Sequence, residues 1–264
     1  MSLPQPSDRS IALVTGASSG IGSELARGLA RRGHGVVLVA RRRERLEELA
    51  AELKSDHGVR AEPIEADLAD AGSRDALAAA VEGLGLDVEI VCNNAGYGTS
   101  GDFAELDRER ELAMTRTNCE AVVDLAGRWL PGMKERGRGA LLNTASTAAF
   151  QPLPGQATYA ASKAFVLAWT EAVHTELAGT GVSVTALCPG PVKTEFQDVA
   201  DAHDFAASLP KPLWVSAADV AEAGLKGLDR GARVVIPGIG NRASGALGRF
   251  TPKPILLRIM RAGG

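Results

Sequence analysis

Short apolar runs alternate with helical patterns along most of this 264-residue chain, and that alternation limits the possible folds more than any other feature. Residues 11–14, 36–40, 59–64, 88–92, 140–145, 182–187 and 234–236 read as strands, most of them rich in Val, Ile, Leu and Ala. Residues 20–32, 42–56, 75–84, 158–178 and 217–228 carry the spacing of helices, and 103–133 reads as one long helix or two joined pieces. In the first helix Ile21, Leu25 and Leu29 recur four apart before Gly33 and Gly35 stop it. Apolar strands separated by helices build a parallel sheet covered on both faces, which predicts an α/β fold.

Length and apolar content of 45% allow a single domain spanning residues 1–264 with an ample core. Lys and Arg total 29 against 32 Asp and Glu, a net charge of -3 without the basic excess a nucleic-acid backbone would need. No run approaches the length of a membrane span and no signal-like segment opens the chain, so a soluble, cytoplasmic protein is expected. Cys92, Cys119 and Cys188 are far apart, at neither metal-ligand nor disulfide spacing, and read as reduced thiols; no metal site is expected. Residues 189–215 lack periodicity, as a functional loop or lid would. Phe196, Phe205, Leu209, Pro210, Pro212, Leu213 and Trp214 concentrate there, fitting either a cover over an apolar substrate or a loop packed on the core. Residues 242–264 form a basic, proline-containing tail whose mix of Arg, Lys and large apolar residues suits packing on the body, a subunit interface or an anionic membrane surface.

Between the first strand and first helix lies Thr15-Gly16-Ala17-Ser18-Ser19-Gly20-Ile21-Gly22, where backbone amides and the helix dipole can hold a pyrophosphate. A Cβ at Gly16 or Gly20 would obstruct the turn or ligand, and one at Gly22 would hold the helix off the sheet. The same residues satisfy G-x-S-x-G, the elbow of a serine hydrolase with Ser18 as nucleophile, but none of His34, His57, His174 and His203 has a local setting that marks it as the base. A ligand-free strand-helix turn is the plainest alternative. Further along, Tyr159 and Lys163 stand at i and i+4, on one face of a helix. An ammonium beside a phenol favours phenolate and lowers its pKa, making a proton donor and acceptor usable nearer neutral pH. With two tyrosines in the chain, that pairing has a chance probability of roughly 5%. Ser146, just past the fifth strand, can hydrogen-bond a carbonyl oxygen as it gains charge, or simply cap a turn as serine often does.

Thr15 to Gly22, Asn93-Asn94-Ala95-Gly96, Ser146, Tyr159 with Lys163, and Pro189-Gly190-Pro191-Val192-Lys193-Thr194 together resemble the short-chain dehydrogenase/reductases, in order and spacing, from about Ile11 to Gly238. The expected fold is then a doubly wound Rossmann-type parallel sheet of about seven strands, ordered 3-2-1-4-5-6-7, with the cofactor at the switch between strands one and four. The resemblance implies hydride transfer between a nicotinamide and a carbonyl or alcohol, with Tyr159 as acid or base. Ser146 would hold the substrate oxygen, Lys163 would bind the nicotinamide ribose, and Asn118 would anchor a water behind the lysine. Gly16, Ser18, Ser19, Gly20, Ile21 and Gly22 would take the pyrophosphate, with Asp67 and Leu68 at the adenine. Asn94, Ala95, Gly96, Pro189, Gly190, Val192 and Thr194 would line the rest, and a homodimer or homotetramer paired through the long helices is implied. A non-catalytic NADPH-binding sensor and a structural domain share this fold, but neither would need Ser146, Tyr159 and Lys163 together.

Cofactor choice turns on the end of the second strand, where an acidic residue would hold the ribose hydroxyls of NAD. Ala40 stands there instead, followed by Arg41, Arg42 and Arg43, whose forked donors suit a 2′-phosphate. Three cations at a helix start have the wrong sign for the helix dipole, which favours a ligand. The expected cofactor is therefore NADP(H), held by Arg41 and Arg42.

Overall fold

The computed structural model describes residues 3–200 and 210–262. Seven parallel strands form one sheet in the order β3-β2-β1-β4-β5-β6-β7, as expected. They are β1 (Ser10–Thr15), β2 (Val36–Ala40), β3 (Ala61–Glu65), β4 (Asp87–Asn93), β5 (Gly139–Thr144), β6 (Val182–Leu187) and β7 (Val234–Val235). Every residue of β1, β5 and β6 is buried, which is why these strands read as continuous apolar runs.

Successive side chains point to opposite faces and feed two cores. Ala12, Val14, Val36 and Leu38 pack with Leu25 and Leu29 of α1 (Gly20–Ala30), Leu46 and Leu53 of α2 (Arg43–His57), and Val220 and Leu225 of a later helix. Ile11, Leu13, Val37 and Val39 face the other way, onto Leu77 and Val81 of α3 (Ala71–Glu82) and residues of two long helices. Each fully buried Leu contributes about 1.5 to 3 kcal/mol relative to exposure.

Three expectations need correcting, and one open alternative is decided. The third helix begins at Ala71 rather than residue 75, because the Asp70 carboxylate caps it by accepting from the Ser73 amide at 2.6 Å. Residues 103–133 contain α4 (Arg108–Thr115), a π-helical turn (Arg116–Glu120) and most of α5 (Ala121–Glu135), so two joined pieces is the correct version. After α6 (Ala157–Glu176), the loop after β6 contains the short α7 (Phe196–Ala200) and a 3-10 turn at Lys211–Leu213. A parallel bridge between Val192 and Val215 pins its ends; Phe205 and Leu209 lie outside the described residues. Beyond α8 (Ala217–Asp229) and β7, the tail region forms two helices, α9 (Ile239–Phe250) and α10 (Lys253–Ala262).

Candidate active site

A cleft of about 600 Å³ opens at the carboxyl ends of the strands, across the switch between β1 and β4. Side chains pin the two strand ends there. The Thr15 hydroxyl accepts from the amides of Asn94 and Ala95, both at 3.0 Å, and donates to the Cys92 carbonyl at 3.3 Å. The Asn94 amide group returns a bond to the Thr15 carbonyl at 3.1 Å, while its oxygen accepts from Thr144 at 3.2 Å.

The turn after β1 uses left-handed backbone at Gly16 (φ 66) and Gly20 (φ 58). A Cβ on Gly22 would sit 2.1 Å from the Gly16 carbonyl oxygen. Gly22 therefore lets the helix close on its own turn, rather than on the sheet as expected, and it does not line the cleft. Ser19 occupies the N-cap of α1 without making a side-chain cap. The first amides of α1 thus lie at the cleft without a side-chain capping partner, and no acidic residue occupies the first turn. This cradle fits the pyrophosphate of a dinucleotide.

At the far end of the cleft, Arg41 and Arg42 are exposed and line the wall with Asp67 and Leu68. Arg42 is already engaged. It donates to the hydroxyls of Ser18 (3.0 and 3.2 Å) and Ser19 (2.8 Å) and pairs with Glu195 at 2.6 Å. Glu195 also bonds Arg45, and together the two guanidinium groups hold its carboxyl down at about 2. Sequence separation hides this bridge, since Glu195 stands in the loop after β6. The bonds from Arg42 tie up the Ser18 oxygen, and no histidine among the described residues lines the cleft, so a hydrolase reading has no support.

In the middle of the cleft the expected catalytic groups gather. Ser146 caps the 3-10 turn Thr147–Phe150, accepting from the Ala148 amide at 3.1 Å. Tyr159 (9% exposed) and Lys163 (4%) project from the first turns of α6. The Lys163 ammonium donates to the Thr144 carbonyl at 2.9 Å and lies 5.9 Å from the Tyr159 ring centroid. Burial dominates both pKa values. It raises the Tyr159 phenol above its ordinary value, with a hydrogen bond to Ser146 pulling back, and it lowers Lys163 to about 8. The lowering of the phenol expected from Lys163 is not found: the group that pulls it down is Ser146, and desolvation outweighs that bond.

Asn118 sits in the π turn behind the cleft wall, fully buried. Its amide nitrogen donates to the Tyr97 carbonyl and the Ser162 hydroxyl, both at 3.0 Å, and its oxygen accepts from the Tyr97 amide at 3.2 Å. Gly96 runs between Asn118 and Lys163. Ile21, Ala95, Pro189, Gly190, Val192 and Thr194 complete the expected lining, and the Thr194 side chain packs over Gly20. The sequence reading missed the opposite wall, made by Gln151, Leu153, Gln156, Asn241 and Ser244. Asn241 and Ser244 come from α9, a helix the sequence did not reveal.

The short chain dehydrogenase family profile matches residues 10–204. An uncharacterized oxidoreductase of Myxococcus xanthus is 40% identical over 222 residues, covering 83% of this chain and 84% of the relative. The very-long-chain 3-oxoacyl-CoA reductase of Anas platyrhynchos is 35% identical over 198 residues, 72% of this chain and 62% of that protein. Among solved structures, a short-chain dehydrogenase from Sphingobium yanoikuyae in complex with NADPH superposes with a TM-score of 0.82 at 34% identity, covering 90% of this chain and 92% of that one. The fold and the cleft define a nucleotide-binding oxidoreductase that interconverts carbonyls and alcohols. The chain belongs to the short-chain dehydrogenase family and binds a nicotinamide cofactor.

Proposed function

We propose that this protein is an NADP(H)-dependent carbonyl reductase acting on an apolar substrate such as a 3-oxoacyl compound or bulky ketone. The convergence of Ser146, Tyr159 and Lys163 on one buried point of the cleft carries this reading. Bound nicotinamide would supply the hydride. Tyr159 would give its proton to the carbonyl oxygen, and its raised pKa keeps that proton in place at neutral pH. Ser146 would hold the same oxygen as charge develops. Lys163 is mostly protonated below about 8, so it would present a cation to the ribose and the phenol. Asn118 would hold the Gly96–Tyr97 backbone against which the lysine lies, with Gly16, Ser18, Ser19, Gly20 and Ile21 around the pyrophosphate.

Arg41 and Arg42 at the end of β2, with Ala40 in place of a carboxylate, support NADP(H) over NAD(H), as does the NADPH bound to the Sphingobium relative. Phe196, whose ring centroid lies 5.4 Å from that of Tyr159, with Leu153, Leu213 and Trp214, supports an apolar substrate. The acyl substrate class named for the Anas relative points the same way. Exposed Val123 on α5 and Phe165 on α6 support pairing of copies through these helices. Three free thiols fit a reducing cytoplasm.

Turnover of long-chain ketones and 3-oxoacyl thioesters, followed at the nicotinamide absorbance, tests the assignment. Tyr159→Phe should abolish it while leaving cofactor binding intact. A variant that keeps a tenth of wild-type kcat would show that another group supplies the proton.

A further inference from the structure

The helix α9 is seated the wrong way round for a surface helix. Its buried side is Asn241, Gly245 and Gly248, spaced at i, i+4 and i+7. A Cβ at Gly245 would meet the Phe150 ring at 3.2 Å, and one at Gly248 would meet Gln151 and Phe150 at the same distance, so small residues let the helix lie close on the body. The apolar side faces solvent: Ile239 is 85% exposed, Leu247 68% and Phe250 80%. On α10, Leu256 turns inward while Ile255 and Leu257 stay exposed. These five are the majority of the eight large apolar side chains exposed among the described residues, so the patch is local and needs an occupant.

The charge pattern identifies what the occupant is. Seven of the chain's 29 basic residues and none of its 32 acidic ones follow Asp229. Arg242 and Arg249 are exposed along the flank of α9, between its buried side and its apolar face, and Lys253 and Arg258 continue the exposed basic series on α10. We propose that the outer face of α9 and α10 docks the protein on an anionic phospholipid surface, with the apolar side chains entering the acyl boundary and the arginines meeting the headgroups. Two-fold pairing with a second copy through this face would set basic residues against their own equivalents. Nucleic acid would satisfy the arginines but leave the five apolar side chains in water.

The inner side of the same helix gives this docking a use. Asn241 and Ser244 line the substrate end of the cleft, so a lipid surface on the outer side lies one helix away from the reacting carbon's site. An apolar carbonyl compound would then reach Tyr159 from the bilayer without crossing bulk water. That consequence rests on the reductase reading; the docking itself does not.

Co-sedimentation of the full chain with vesicles separates the outcomes. The protein should pellet with mixed phosphatidylcholine and phosphatidylglycerol vesicles, not with phosphatidylcholine alone, and added salt should weaken the binding. Leu247→Ser with Phe250→Ser should lower the partition coefficient by about tenfold or more, with circular dichroism, cofactor binding and sedimentation mass unchanged. Equal pelleting of wild type and variant overturns the proposal, as does indifference to phosphatidylglycerol. A fall in the variant's sedimentation mass also overturns it, because a second copy would then be what covers the face.

Discussion

Replacing Gly96 with alanine adds one methyl group at the point where the Lys163 and Asn118 side chains meet. The glycine's backbone lies outside the left-handed region, so the change acts through contacts alone. A Cβ there would lie 2.9 Å from the Asn118 oxygen and 3.1 Å from the Lys163 nitrogen. The first distance is roughly half an ångström short of ordinary contact, and the second somewhat less. The bond from the Tyr97 amide to the Asn118 oxygen is already 3.2 Å long and would pass beyond hydrogen-bonding range. The ammonium, held to the Thr144 carbonyl at 2.9 Å, would be pushed off its axis. A lost hydrogen bond to a charged group costs about 1.5 to 3 kcal/mol, so kcat/KM should fall roughly ten- to 150-fold. Gly127→Ala is the control: it lies in α5 with nothing within 4 Å of the added carbon, and should be neutral or slightly stabilising. Steady-state kinetics and thermal melts on both variants provide the comparison. Wild-type kcat/KM in Gly96→Ala would refute the idea that this contact sets the lysine.

Arg41→Ala should weaken NADPH binding about ten-fold or more while leaving NADH nearly unchanged, measured by cofactor fluorescence; equal wild-type affinity for the two cofactors would reduce the arginines to a solvated helix start. His34 is buried and its pKa is lowered by desolvation and by Arg32, so as pH falls below about 6.5 the unfolded chain takes a proton that the folded chain resists. Urea stability should therefore fall on acidification by up to about 1.4 kcal/mol per pH unit from this group, and His34→Gln should flatten that slope; parallel curves would remove His34 from the account. Because Phe196, Leu213 and Trp214 line the cleft, kcat/KM should rise with substrate alkyl length, and a flat series would rule out an apolar wall.

The sheet was readable because strands such as residues 36–40 are buried on both faces and leave an unbroken apolar signature. The glycine turn, Ser146 and the Tyr159–Lys163 pair, legible from their order and spacing, line one cleft. What escaped the reading has physical causes. Asp70 stops one turn and starts another, so the short-range pattern at residues 67–75 did not show which acid would cap. The Glu195 bridge joins positions 153 and 150 residues from Arg42 and Arg45, beyond the reach of any local pattern. The sequence shows only one neighbour of Tyr159, whereas burial, which the packed structure alone reveals, dominates its pKa. Helix α9 buries glycines and exposes its large apolar residues, so the periodicity that usually marks a helix's inner face marks its outer one.

The π turn at Arg116–Glu120 inserts one extra residue into what would otherwise be a continuous helix. A single residue is worth about 100° of rotation in an α-helix. The sequence periods of α4 and α5 are therefore out of phase: the residues α5 packs on the sheet are set independently of those α4 turns toward Tyr159. Asn118 lies in the phase slip itself. Deleting one residue there would give a regular helix with both faces where they are now, whereas winding all the residues as α-helix would rotate α4 relative to α5 and move Met114 from its buried seat beside Tyr159. The irregularity thus works as a spacer between two helical surfaces, taking up one residue of sequence without turning either face away from what it packs on.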